Sequence, residues 1–125
     1  MSILKEIPII MPDGIQVNEL YNFLVDNRMC GKLTSGKLPV TEYSKQYTTH
    51  DVCTIRPETT IGFIISADLN ERNPTITIKL VEHIEKVITK LDNSFTFYAV
   101  PRIIADSKNN KILNFITFDI LACEN

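Results

Sequence analysis

The stretch KILNFITFDILA, from Lys111 to Ala122, is apolar at both parities of a β-strand. In strict alternation Ile112, Ile116, Phe118 and Ile120 share one face, while Leu113, Phe115 and Leu121 share the other. A strand that is apolar on both sides has to be covered on both sides. This requirement constrains the fold more than any other feature of the chain. The segment before it, FTFYAVPRIIA, also alternates, and DSKNN between them is turn chemistry, so the two runs predict a β-hairpin. Pro101 in its first arm demands an edge position or a bulge, because proline has no N–H to give to a ladder.

The remaining elements are read from periodicity. Residues 3–11 are apolar but interrupted by Pro8, which fits either an edge strand or an extended arm. In residues 16–28, Val17, Leu20, Tyr21 and Leu24 recur at helical spacing, with Asp13 as a plausible cap and Gly31 as a stop. Phe23 lies off that stripe, as either a partly exposed aromatic or a partner contact. Residues 31–49 read as a long irregular loop with at most one short strand. HDVCTIRPETTIGFIISAD predicts strands over 50–56 and 60–68, with RPETT as the turn. NPTITIKLVEHIEKVITKL predicts a helix over 74–92, capped by Asn73 and striped by Ile76, Leu80, Ile84, Val87, Ile88 and Leu91. TITIK alternates like a strand, however, which moves the helix start toward Ile78.

The order helix, strand, strand, helix, strand, strand predicts an α+β fold. Its expected form is an antiparallel four- to five-stranded sheet with two helices packed on one face and a C-terminal β-hairpin. The 125 residues make a single domain, in which residues 1–12 form the arm if they do not join the sheet.

Composition narrows the function classes. The formal net charge is −2, from 13 Lys and Arg against 15 Asp and Glu, and no basic run occurs, so nothing suggests gripping nucleic acid from outside. Cys30, Cys53 and Cys123 are odd in number and widely spaced, which argues against a disulfide framework or a zinc site and for reduced thiols in a cytoplasm. The N-terminal apolar stretch is short for a signal peptide, and no run approaches the length of a membrane span. Gly14, Gly31, Gly36 and Gly62 form no phosphate-binding pattern. His83 reads as a surface residue, and His50-Asp51 has no nucleophile motif beside it. The chain therefore reads as no enzyme, with no cofactor and no metal.

What it offers instead is apolar strand surface. Two helices cover one face of a four-stranded sheet and leave Leu113, Phe115 and Leu121 on the other. Either the arm at 3–11 folds back over that face, or another subunit covers it. Asp119 on the same face is either a solvent-facing charge or half of an ion pair between subunits. Leu113, Phe115, Asp119, Leu121 and Phe23 are the candidate subunit-interface residues.

With these features the chain resembles the tail-completion or tail-terminator proteins of tailed bacteriophages. That family has an N-terminal helix, a variable loop, strands, one amphipathic helix and a closing hairpin. Here ADSKNNKILNFITFDILA looks like the family's ending, and IGFIISADLNERNPTITIKLVEHIEKVITKL like its strand, loop and helix. The similarity is a pattern of elements over residues 15–122, and the arm at 1–12 is additional to it. The resemblance implies a structural, ring-forming protein of a phage neck or tail, without catalytic residues. It implies contacts with copies of itself and with neighbouring neck or tail proteins, DNA only as passing cargo in the lumen, no membrane, and a place in the virion after assembly in the host cytoplasm. The alternative is a small binding module or inhibitor that acts on a host protein through the same apolar patch.

Overall fold

The hairpin forms the longest ladder of the molecule. In the computed structural model β5 (Phe95–Asp106) and β6 (Lys111–Glu124) run antiparallel from Phe95 opposite Glu124 to Asp106 opposite Lys111. The structure describes residues 4–26, 39–43, 52–91, 94–106 and 108–125; the side chains at 22, 24–26, 88, 89 and 91 lie outside that description. Before the hairpin come β1 (Leu4–Pro8), α1 (Asn18–Asp26), β2 (Pro39–Glu42), a 3-10 turn at Pro57–Thr59, β3 (Thr60–Asp68), β4 (Thr75–Leu80) and α2 (Glu82–Leu91).

These strands make one sheet in the order β1-β4-β3-β2-β6-β5. Every pairing is antiparallel except the short one between β2 and β6, where Thr41 meets Asp119 and Glu42 meets Ile120 in parallel. The sheet curls until its two edges touch. Ile9, just past β1, bridges Ala99 of β5. The Ile9 N–H donates to the Pro74 carbonyl at 2.8 Å, and the Ile10 N–H donates to the Ala99 carbonyl at 2.9 Å.

This overturns the expected α+β fold. The described residues are mostly β, with one mixed six-stranded curled sheet and two short helices. Two local causes explain the difference. First, residues 75–80 are a strand: Ile76, Ile78 and Leu80 are buried in alternation with Thr75, Thr77 and Lys79. The β-branched residues of TITI favour that conformation, and helical periodicity begins only at Glu82. Asn73 and Pro74 therefore close the β3–β4 turn rather than cap a helix. In that turn Asn70 Oδ1 accepts from the Arg72 and Asn73 N–H groups at 3.1 and 2.7 Å. Second, the N-terminal segment joins the sheet as β1, with Ile7 opposite Ile76. Helix α1 begins at Asn18, so Asp13 does not cap it, and residues 52–56 are not a strand. The expected stop at Gly31, the long loop outside 39–43, Cys30, and His50-Asp51 lie outside the described residues.

The curled sheet encloses the core. Residues opposite one another in a ladder share a face, and the pairings place Ile7, Ile76, Ile78, Ile64, Val40, Phe118, Ile120 and Ala99 on the inner one. All are buried, and each large side chain among them contributes roughly 1.5–3 kcal/mol of transfer free energy. Gly62 permits the closest approach of β3 and β4, since a Cβ there would stand 2.6 Å from the Lys79 carbonyl oxygen. Val17, just before α1, and Leu20 of α1 bury against the same core.

Candidate interaction surface

Two bulges decide which residues of β6 face inward. The partners along β5 jump from Thr117 to Phe115 and again from Asn114 to Ile112, so Ile116 and Leu113 are extra residues in the ladder. Each bulge reverses the parity of the strand beyond it. Ile112, Phe115, Phe118 and Ile120 consequently share the inner face, which strict alternation does not predict. The Phe115 ring packs edge-on against Phe118 with centroids 5.1 Å apart, and Phe23 of α1 stands 6.5 Å from Phe115. Phe115 and Phe23 are thus packed against each other within one chain.

The outer face of the hairpin divides into a base and a distal half. At the base Arg102 lies opposite Thr117 and next to Asp119, and all three are buried. Arg102 Nε donates to Asp119 Oδ2 at 3.2 Å, and Nη2 donates to Asp119 Oδ1 at 2.9 Å and to Thr41 Oγ1 at 2.7 Å. Its Nη1 donates to the Val52 and Thr54 carbonyls at 3.3 and 2.7 Å. The Thr41 hydroxyl in turn donates to Asp119 Oδ1. Every N–H of the guanidinium has an acceptor, so this buried charge pair is fully satisfied. It ties β5, β6, β2 and the segment at 52–54 together. Asp119 is therefore neither solvent-facing nor waiting for another subunit, because its partner lies in the same chain.

The distal half differs. Its inner face is backed by α1: Ile112 is buried, and its N–H donates to Glu19 Oε1 at 3.4 Å. On its outer side Leu113 is 62% exposed and Ile104 is 39% exposed. Lys108 and Lys111 flank them at the turn, with Asp106 opposite Lys111. The turn itself is well held. Asp106 accepts from the Lys108 N–H and from Asn109 Nδ2 at 2.9 and 3.1 Å, and Asn110 takes a positive φ of 53°.

At the other end of β6 the sheet opens into a cavity of about 380 Å³ beneath α2. Ile84 and Val87 of α2 line it together with Ile61, Phe97, Ile120 and Ala122. Leu121 reaches it too, half-buried, and the polar lining residues are Glu42 and Tyr43 at the end of β2. A second hollow, open and apolar, lies between Phe63, Ile55 and Val81, with the exposed His83 beside it.

Of the five interface candidates, Leu113 is on an open surface, Leu121 lines the cavity, and Phe115, Phe23 and Asp119 are engaged within the chain. Arg102, Thr41 and Ile104 are not singled out by the sequence, and Val87, read there as part of a helix's apolar stripe, is exposed. Arg102 carried one signal: a charged residue inside an otherwise apolar strand, next to Pro101. Among the described residues no group of His, Cys, Asp and Glu could hold a metal ion, and no helix is long and apolar enough to cross a membrane. No protein-family model matches the chain, and neither does any curated protein or solved structure.

Proposed function

We propose that this protein acts by assembly, as a structural subunit that joins copies of itself into a larger particle such as a ring of a phage neck or tail. The observation that carries the reading is the distal half of the β5–β6 hairpin. It presents Leu113 and Ile104 to solvent on a ribbon whose base is pinned by a buried, fully bonded ion pair. A large aliphatic side chain left open on a well-held element is ready to bury surface without further ordering, which keeps the entropic cost of association low. Subunits of a ring meet through such surfaces. The phage setting comes from the resemblance in sequence pattern, and the curled sheet replaces the α+β arrangement on which that pattern was read.

Light scattering coupled to size-exclusion chromatography, over a range of concentrations, tests the reading. The expected result is a species larger than the monomer that grows with concentration and is lost in Leu113→Asp while the fold is retained. A wild-type protein that stays monomeric throughout overturns it. Capture of one heterologous partner by that monomer favours the binding-module reading instead.

A further inference from the structure

Strand β1 is held by residues far from it in sequence. All five of its ladder partners are on β4, from Leu4 opposite Lys79 to Pro8 opposite Thr75. Just beyond it, the Ile9 and Ile10 N–H groups donate to the Pro74 and Ala99 carbonyls. The strand fills its seat closely. Ile7 is fully buried and Ile9 nearly so, and Lys5 Nζ stands 5.3 Å from the centroid of the Phe97 ring. None of these contacts depends on β1 and β4 belonging to the same molecule. The β1 of a second copy brings the same residues to the same seat.

The link from β1 to α1 has the makings of a hinge. Pro8 and Pro12 bias the residues before them, Ile7 and Met11, toward extended backbone. The chain then turns at Asp13 and Gly14, where the Ile15 N–H donates to the Pro12 carbonyl at 3.1 Å and Gly14 takes a φ of 81°. Glycine adopts that φ without strain, and a residue with a branched Cβ does not. The turn lies against the tip of the distal hairpin: a Cβ on Gly14 would stand 3.3 Å from Asn110 Nδ2. The hinge of β1 therefore adjoins the surface through which copies meet in the proposed assembly. We infer that copies brought together there exchange β1, each strand leaving its own β4 for that of a neighbour. The inference rests on the assembly reading and names the segment that locks it. The exchanged form keeps every contact of β1 and changes only the hinge, so it ties subunits together without a new surface for the strand.

A crossed disulfide tests this. Leu4 and Lys79 face each other across the ladder and both are exposed, so cysteine at either position leaves the core untouched. Leu4→Cys and Lys79→Cys chains are unfolded together in urea, refolded at the concentrations used for light scattering, oxidised and digested. Each chain carries one of the two new cysteines, so a link between positions 4 and 79 joins two molecules. Both substitutions in one chain, at high dilution, set the yield for a β1 seated on its own β4. Mass spectrometry is expected to find the 4–79 link as the main new link of the mixture. Gly14→Val is the second arm. It strains the closed turn but not an opened hinge, and is expected to raise the association constant about tenfold in light scattering. If the wild type assembles while position 4 links only to other positions, or if Gly14→Val lowers stability without raising the assembled share, β1 is not exchanged and assembly itself stands. If the wild type is monomeric at every concentration, the assembly reading falls too.

Discussion

At its base the β5–β6 hairpin holds Arg102 and Asp119, a charge pair shut away from water with acceptors for every guanidinium N–H. Toward the turn it holds Ile104 and Leu113, aliphatic side chains left in water. Both arrangements invert the usual preference for apolar residues inside and charges outside. They are connected by the bulges. By adding Ile116 and Leu113 to the ladder, the strand turns Phe115 and Ile112 inward and leaves Leu113 outside, while Thr117 and Asp119 stay on the outer face beneath residues 52–54. The ion pair fixes the hairpin to the rest of the sheet, and the exposed leucine is what the fixed hairpin presents.

Breaking the base should have the largest effect. Asp119→Ala leaves a buried guanidinium without its counter-charge and is expected to cost about 3–5 kcal/mol, a large share of the stability of a domain this size. Urea unfolding followed by circular dichroism measures it; a loss under ~1 kcal/mol would mean the base is not pinned as described. Replacing both partners with apolar residues, Arg102→Met with Asp119→Leu, is expected to cost less than Asp119→Ala alone, because no orphan charge remains. Arg102→Lys keeps the charge but loses the planar fork, so the contacts to Val52 and Thr54 cannot all be made; about 1–3 kcal/mol is expected in the same assay. At the distal half the expectation reverses. Leu113→Asp should move stability by no more than ~0.5 kcal/mol, since its side chain is mostly in water, yet should abolish association in light scattering. If Leu113→Asp unfolds the protein, the contrast between base and distal half disappears.

Much of the local structure was legible in the sequence. The alternation of 95–105 and 111–122 and the turn between them correspond to β5 and β6, and strand 60–68 has the bounds of β3. The architecture was not legible, for identifiable reasons. TITIKL carries apolar residues at spacings that serve both a strand and a helix, and the competition was settled by pairing with β1 and β3 on either side. The bulges of β6 left no mark in composition, so strict alternation put Phe115 on the wrong face and Ile116 in the core set. Asp119 reads from sequence as either a solvent-facing charge or half of an ion pair between subunits, because its partner, Arg102, is adjacent only once the hairpin forms. The cover that an apolar-sided strand requires comes from within the chain over Thr117–Ile120, all buried, and the exposure that remains lies at Leu113.

The contact between Ile9 and Ala99 has a consequence for how the molecule is made. Residues 4–9 have no local partner; they wait for 75–79 on one side and for the start of the hairpin on the other. β1 therefore remains unpaired during synthesis until residues 75–79 have emerged, and loop-closure entropy makes that step slow. During this interval a free edge bearing Ile7 and Ile9 is open to strangers, so the yield of native protein will depend on how quickly translation delivers the segment that shelters it.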